Sequence, residues 1–148
     1  MERVVVPFQF QVLLSQYYQY LSFKKITDPV IVERCPWTSK NVFVQMYMDN
    51  GLFDRACTLT YHKFFELLSY EVDYFIYLDV EPELALERIK SRDCYGESNI
   101  TLDYLETLRK QYENQSVQIR NVFCVDANLD IESVERKVRS ILKLIISS

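Results

Sequence analysis

The chain has 148 residues, a length that suits one domain, and 49% of them are hydrophobic, so a buried core is expected and disorder is not. The formal net charge of −4 argues against a general binder of nucleic-acid polymers or of anionic membranes, although a local basic site is compatible with it. Two glycines and four prolines are few, so we expect short loops.

The first predicted element is a helix. Apolar residues recur at helical spacing from about Pro7 to Phe23, and a proline is tolerated in the first turn of a helix. Residues 4–6 could instead form a strand fragment. Gln9 lies inside this apolar stretch, and a lone amide in such a position is usually on the solvated side of the helix.

A short apolar run follows at Val30–Val32. The turn signal Asp28-Pro29 opens the run, and Glu33 and Arg34 close it. Such a run predicts a fully buried parallel strand, and the two charges then fall at its carboxyl end, where open α/β sheets bind ligands. The alternative is that both charges simply meet solvent as the strand leaves the core.

Two helical segments come next. One is predicted over Trp37–Asn50, with Thr38 or Ser39 as its cap and a glycine directly after its end. The other is predicted over about Leu59–Leu68. It carries His62, the only histidine, which has no Cys or His partner at metal spacing and is therefore interpreted as a surface residue.

The second half of the chain alternates strands with helices. Tyr74–Val80 is the clearest strand, because it is aromatic, β-branched and apolar over seven residues. The other predicted elements are the helices Glu83–Ser91, Thr101–Asn114 and Asp130–Ile146, the strand Asn121–Val125 and an irregular segment at Asp93–Asn99. Thr101 and Asp130 are the predicted caps of the last two helices. This alternation predicts an α/β fold with a parallel sheet and right-handed crossovers.

Four cysteines are spread along the chain without a C-x-x-C pair. That spacing suits reduced thiols in a cytosolic protein better than a disulfide or zinc framework. The N-terminus has no signal-peptide pattern, and no apolar run reaches membrane-spanning length. We therefore expect a cytoplasmic protein with no membrane partner, with a mitochondrial location as the less favoured alternative.

Arg88 and Arg92 lie four residues apart and so share a face near the end of their predicted helix. Cations near a helix C-terminus are favourable in themselves, which is the simpler explanation. The functional explanation is a phosphate clamp, because guanidinium groups match phosphoryl oxygens with forked donors. The irregular segment after them, which contains Glu97, could then close over a substrate.

Together these residues resemble the deoxynucleoside kinases, the group of thymidine kinase 2, deoxycytidine kinase and the insect deoxynucleoside kinase. The resemblance runs from Pro7 to about Asp126. It is carried by Pro7-Phe8-Gln9, Val30-Ile31-Val32-Glu33-Arg34-Cys35, Asn50-Gly51, Ile76-Tyr77-Leu78, and Glu87-Arg88-Ile89 through Arg92 to Glu97. Cys35 stands where the family usually has serine, and Cys94 where some members have a further lid arginine. The resemblance implies a P-loop-kinase-like parallel sheet with flanking helices, as one domain over residues 1–148 with a lid at about 88–99.

The resemblance also implies roles at the nucleoside. Gln9 would pair with the pyrimidine edge, because an amide offers both a donor and an acceptor. Phe43 would pack on the base, with Phe8 beside it, and Glu97 would bind the sugar 3′-hydroxyl. Ser39 stands where members that prefer deoxycytidine have an aspartate. A small neutral residue there favours thymidine or broad pyrimidine use.

Further roles are implied at the phosphates. Arg34 would hold the substrate 5′-oxygen and the catalytic carboxylate, and Glu33 would bind Mg²⁺, directly or through water. Arg88 and Arg92 would stabilise charge on the transferring phosphoryl group. The segment from Asp126 to Leu129 would touch the adenine of ATP. The expected ligands are therefore ATP, Mg²⁺ and a deoxynucleoside, and the expected assembly is a homodimer.

Two parts of the family pattern are missing from these 148 residues. The P-loop motif G-x-x-x-x-G-K-S/T does not occur, and the general-base glutamate would lie before Pro7 in the family pattern. The P-loop strand would lie between the strands predicted at 30–32 and 74–80, so its loss would leave buried backbone groups unpaired. The chain is then truncated, or it pairs with a separate N-terminal piece, or the two strands close on each other in a non-family sheet.

Three functions are compatible with the sequence. The first is a deoxynucleoside kinase whose N-terminal part is missing and which is inactive as this chain alone. The second is a non-catalytic relative that acts as a binding or dimer-partner subunit, with the apolar faces around Met46 and Phe64 as the dimer surface. The third is a generic α/β domain without a nucleotide site.

Overall fold

The computed structural model describes residues 2–116 and 118–147. The chain forms two compact units, Met1–Val72 and Asp73–Ser148. The first unit is helical, and the second contains a parallel sheet with helices. Throughout the described ranges, every helix is too short or too polar to cross a membrane.

The first unit begins with helix α1, Glu2–Phe23. This helix starts earlier than predicted and includes residues 4–6, so the alternative of a strand fragment there is wrong. Pro7 is the sixth residue of the helix, so it lies beyond the first turn in which it was expected, and the helix continues through it with one backbone hydrogen bond fewer. Gln9 is only 3% exposed, so its interpretation as a solvated amide is wrong. The reason is that Gln9 shares a helix face with Leu13, which is fully buried.

The second predicted helix is confirmed, with an unexpected middle. It consists of α2 (Pro36–Thr38), a π-helical stretch (Ser39–Val44) and α3 (Gln45–Asp49), which follow one another without a break. The predicted cap is wrong: Cys35 occupies the cap position and makes no side-chain cap hydrogen bond, while Pro36 sets the backbone of the first turn. Gly51 follows at φ 71°, a left-handed conformation that glycine adopts without strain.

Helix α4, Arg55–Leu68, completes the first unit and supplies much of its core. It starts earlier than predicted because the Asp54 carboxylate accepts a hydrogen bond of 2.7 Å from the Cys57 N–H and caps the helix. The core of the unit consists of Leu13, Val44, Phe53 and Tyr61, with Phe10 packed edge-on against the Tyr61 ring. This core fixes α1 against the π-helical stretch and α4.

The strand predicted at Val30–Val32 is wrong. These residues are irregular, and Ile31 is 73% exposed. A parallel strand is stable only when its backbone groups pair with neighbours, and within the described residues no strand pairs with this run. The predicted possibility that it closes on the strand at 74–80 is therefore also wrong.

The sheet of the second unit consists of β1 (Phe75–Asp79) and β2 (Val122–Asp126). The strands are parallel and pair in register, from Phe75 opposite Val122 to Asp79 opposite Asp126. The predicted parallel α/β architecture is thereby confirmed, although both strands are five residues long and β1 is shorter than predicted. The register places two carboxylates side by side at the carboxyl ends of the strands.

Three helices accompany the sheet: α5 (Pro82–Arg92), α6 (Leu102–Ser116) and α7 (Ile131–Ile146). The predicted caps of α6 and α7 are confirmed. The Thr101 hydroxyl accepts from the Tyr104 N–H at 3.2 Å, and the Asp130 carboxylate accepts from the Ser133 N–H at 2.9 Å. The segment between α5 and α6 opens with Asp93 in the left-handed conformation, which ends α5.

Candidate functional site

The first group of candidate residues lies on the buried face of α1. Gln9, Leu13 and Gln16 are spaced at i, i+4 and i+7, so they lie along one side of the helix. Their exposed fractions are 3%, 0% and 8%. Two amides on a buried face require hydrogen-bond partners from the fold or from a ligand.

Ser39 supplies the partner of Gln16. The Gln16 amide nitrogen donates to the Ser39 hydroxyl at 2.9 Å, and that hydroxyl donates to the Gln16 amide oxygen at 3.2 Å. Ser39 is 2% exposed and begins the π-helical stretch, a type of segment that is frequent at functional sites. Our sequence reasoning missed Gln16; its position two helical turns after Gln9 was the available signal.

Arg34 and Phe43 are brought together in the same unit. The Arg34 guanidinium carbon lies 4.9 Å from the centre of the Phe43 ring, a cation–π contact. The Arg34 backbone is left-handed at φ 64°, an uncommon conformation for a residue with a side chain. Glu33, beside it, is exposed. The two charges predicted to follow a strand therefore follow an irregular segment instead.

Phe8 is not brought to the buried amides. It is 56% exposed on α1, whereas its neighbour Gln9 faces the interior. His62 is partly exposed and is one residue past the buried Tyr61. Among the residues described, no group of three or more His, Cys, Asp or Glu side chains could hold a metal ion.

In the second unit, Arg92 and Glu97 form an ion pair across the segment between α5 and α6. One Arg92 nitrogen donates to both Glu97 carboxylate oxygens, at 2.7 and 2.8 Å. The hydrogen bond to Glu97 raises the pKa of the Arg92 guanidinium. The two lid residues predicted from the sequence are therefore each other's partners in this structure.

Arg88 has different partners from Arg92 although both lie on α5. Its guanidinium donates to the backbone carbonyl of Ala127 at 2.6 Å and to that of Leu129 at 3.2 Å. These acceptors belong to the loop between β2 and α7. The predicted arginine pair is thus divided between the lid segment and this loop.

The same loop contains Asp126 and Leu129. The Asp126 carboxylate accepts from the backbone N–H of Asn128 at 3.0 Å and from its side-chain amide at 2.9 Å. These hydrogen bonds hold the pKa of Asp126 below its ordinary value. Leu129 is 36% exposed at the surface of the loop.

An ion-pair cluster around Arg109 was also missed by sequence reasoning. The Arg109 guanidinium on α6 lies 3.4 Å from Asp79, 2.5 Å from Glu81 and 3.1 Å from Glu113. The hydrogen bond to Glu81 is the main cause of a raised Arg109 pKa. The signal in the sequence was Asp79, the acidic residue at the end of the apolar strand. The cluster joins α6 to the end of β1.

Comparison with known proteins adds the family. A family model described as deoxynucleoside kinase matches residues 1–147. The protein 143R of Invertebrate iridescent virus 6, named as a kinase, is 46% identical over 149 aligned residues, which cover 99% of this chain and 76% of that protein. The thymidine kinase of Ictalurid herpesvirus 1 is 30% identical over 140 residues, which cover 93% of this chain and 60% of that protein.

Solved structures agree with the sequence comparison. A deoxyadenosine kinase from M. mycoides, solved with dCMP and dCDP bound, superposes on 100% of this chain and 77% of its own, with a TM-score of 0.81 and 28% identity. The same enzyme solved with dATP covers 96% of this chain and 75% of its own, with a TM-score of 0.79 and 28% identity. The chain therefore spans about three quarters of the length of these structures.

Proposed function

The chain belongs to the deoxynucleoside kinase family, and on that premise we propose that it serves the ATP-dependent transfer of a phosphoryl group to the 5′-hydroxyl of a deoxynucleoside. We propose thymidine, or pyrimidine deoxynucleosides in general, as the acceptor. The observation that carries this proposal is the buried, uncharged set of Gln9, Gln16 and Ser39.

This set suits recognition of a neutral base. Gln9 is buried on the face that also carries Gln16, and an amide can donate to and accept from the edge of a pyrimidine. Ser39 and Gln16 satisfy each other, so they present shape and hydrogen bonds rather than charge. The contact between Arg34 and Phe43 supports the view that the base-packing ring and the 5′-oxygen ligand belong to one site.

The proposed catalytic roles follow from charge. Arg34 holds the 5′-oxygen, and Arg92 neutralises charge that develops on the transferring phosphoryl group, as preorganised cations do in this chemistry. Glu97 accepts the 3′-hydroxyl of the sugar. Because Arg92 and Glu97 now bind each other, a bound substrate has to share or replace that ion pair. Arg88, which the resemblance assigns to the same phosphoryl group, faces a different partner.

Magnesium and ATP are part of the proposal. A magnesium ion would depend on Glu33 and on the nucleotide phosphates, the combination of one or two carboxylates with phosphates by which this ion is commonly held. Bound there, the ion neutralises phosphate charge. The loop from Asp126 to Leu129 is the proposed contact for the adenine base.

A second function has an observation in its favour. These 148 residues contain no P-loop motif, so the chain by itself lacks the backbone cradle that holds phosphates. We therefore propose, as the alternative, a subunit that binds nucleoside without transferring phosphate. In either case we propose a homodimer whose contact surface consists of the exposed apolar residues of α4, Leu59, Phe64 and Leu67. Met46, which was predicted for this surface, is only 3% exposed and cannot take part in it.

The location proposed is cytoplasmic. All four cysteines are free thiols, and two of them, Cys94 and Cys124, are exposed. Exposed free thiols persist in reducing compartments. Fluorescence of the tagged protein in its source cells tests this location, and enrichment in mitochondria would overturn it.

Calorimetric titration of the chain with thymidine, deoxycytidine and deoxyadenosine tests acceptor binding. We expect thymidine to bind, and Gln9→Leu to weaken it by about tenfold or more, because a buried amide that pairs with a ligand is lost. Gln11→Leu is the matched control, since Gln11 is exposed on the same helix. If no deoxynucleoside binds, both functions fail.

Label transfer from ATP separates the two functions. A form extended at its N-terminus by a P-loop segment should label thymidine if the kinase proposal is correct. Thymidine binding without transfer by this form would favour the binding subunit. Sedimentation of the same samples tests the homodimer, and a monomer at all concentrations would contradict it.

A further inference from the structure

Arg88 joins two distant parts of the second unit. Its guanidinium lies near the end of α5 and binds the carbonyls of Ala127 and Leu129, which are 39 and 41 residues further along the chain. Two nitrogens of one guanidinium reach two carbonyls of one loop, so the side chain fixes the spacing of those carbonyls. This forked geometry is specific to arginine.

The other restraints on the loop act on different atoms. The Ala127 N–H donates to the Asp79 carbonyl at 2.7 Å, and the Asn128 side-chain oxygen accepts from the Glu81 N–H at 2.8 Å. These bonds tie the start of the loop to the end of β1. Ala127 is 7% exposed, so its carbonyl needs a partner, and Arg88 is that partner.

Close packing does not replace these hydrogen bonds. A cavity of about 570 Å³ lies against the loop and is lined by Arg88, Ala127 and Leu129, by Leu78 of β1, and by residues of α7 that include Glu135 and Arg139. Side chains that border an empty space are not held by neighbours on that side. On the side that faces this cavity, the hydrogen bonds from Arg88 therefore hold the loop.

We propose that Arg88 is a positioning residue that acts on the donor nucleotide through this loop. By holding the carbonyls of Ala127 and Leu129, it sets the conformation of the segment Asp126–Leu129 and so the shape offered to an adenine base. This inference rests on the proposed donor site. It differs from the role implied by the family resemblance, in which Arg88 contacts the transferring phosphoryl group directly.

Hydrogen exchange tests the restraint without any ligand. In the whole chain, Arg88→Met should speed exchange of the Ala127 and Asn128 amides by about tenfold, because a charge-assisted contact that closes the loop is lost. Arg88→Lys should restore part of the protection, since an ammonium can bind one carbonyl but cannot fork to both. Arg92→Met is the control, because Arg92 lies on the same helix and binds Glu97 instead. Unchanged exchange in Arg88→Met would overturn the proposal.

Binding of two probes separates positioning from direct contact with phosphate. Adenosine carries the base without phosphates, and tripolyphosphate carries phosphates without the base. We expect Arg88→Met to weaken the binding of adenosine by about tenfold and to change the binding of tripolyphosphate by no more than about twofold. The opposite pattern would overturn the proposal in favour of a direct phosphate contact.

The same titrations keep this proposal distinct from the proposed function. If the unsubstituted chain binds thymidine but not adenosine, the donor site is wrong and the role of Arg88 toward adenine falls with it, while the acceptor proposal stands. If adenosine binds equally to the chain and to Arg88→Met, only the role of Arg88 is wrong. Circular dichroism of each variant excludes loss of folding as the cause of weakened binding.

Discussion

The buried amide set of the first unit and the arginines of α5 in the second are held in opposite ways. In the first, Gln9, Gln16 and Ser39 are neutral and almost fully buried. In the second, Arg88 and Arg92 are exposed and charged. A buried neutral site has a shape that the fold sets in advance, which suits recognition of a base. Exposed charged side chains are held by contacts that a ligand can replace, and this arrangement suits the binding of phosphate.

The same contrast exists in the cores. The first unit has a cluster whose members Leu13, Val44 and Tyr61 are fully buried. In the second, Leu78 of β1 is 48% exposed even though it lies in the sheet. The first unit therefore has the packing to hold polar groups in fixed positions, while the sheet of the second leaves apolar surface open.

The largest effect expected from this contrast is on stability. Leu13→Ala should lower the free energy of unfolding by about 2–5 kcal/mol, because it creates a cavity in a closed core. Leu78→Ala, the same change at an exposed site, should cost much less. Urea denaturation of both variants measures the difference. An equal cost would mean that another chain covers Leu78 in solution.

The hydrogen-bonded pair in the first unit should have the next largest effect. Gln16→Leu and Ser39→Ala should each lower the free energy of unfolding by about 1–3 kcal/mol, because each leaves a buried polar partner without its hydrogen bond. The double variant should cost less than the sum of the two, since it removes both partners together. Denaturation of the four proteins gives this coupling, and simple additivity would contradict the pair.

A smaller effect is expected at Arg34, the one charged candidate residue of the first unit with a left-handed backbone. Arg34→Gly and Arg34→Ala both remove the contact with Phe43, but only glycine relieves the left-handed strain. Arg34→Gly should therefore be more stable than Arg34→Ala by about 1 kcal/mol. Thermal unfolding compares them. Equal stabilities would show that the strain is absent in solution.

The last effect concerns alkaline pH and is absent at neutral pH. Burial raises the pKa of Tyr77 to about 12 and raises that of Tyr61 even further above its ordinary value of 10.0. Each folded phenol then keeps its proton more firmly than the unfolded chain does. The stability that this contributes is complete below pH 10 and is lost as the pH rises from there through the folded pKa of Tyr77.

Urea denaturation at a series of alkaline pH values measures this loss. Tyr61→Phe should reduce the slope of the free energy of unfolding against pH. At neutral pH this substitution should lower the free energy of unfolding only slightly, because the Tyr61 hydroxyl has no hydrogen-bond partner among the described residues. A stability that stays constant up to pH 12 would contradict the raised pKa of Tyr77.

Sequence patterns named candidate residues without naming the partners that the structure gives them. The arginines at 88 and 92 were recognised as a pair with shared spacing, yet they bind different elements. Gln16 was not recognised, because the local sequence of a helix does not show whether an amide side chain forms hydrogen bonds with water or with a serine. The identity of a partner depends on residues that the local pattern does not include.

The sequence by itself determined the helices, the parallel strands at 75–79 and 122–126, and the caps at Thr101 and Asp130. These features depend on periodicity and on hydrogen bonds that span a few residues, which are visible within a short window. Only the tertiary structure decided that Val30–Val32 is irregular and that Gln9 is buried, because strand pairing and burial depend on what lies alongside. It also decided the pairing of Gln16 with Ser39, 23 residues apart, and of Arg88 with Ala127, 39 residues apart.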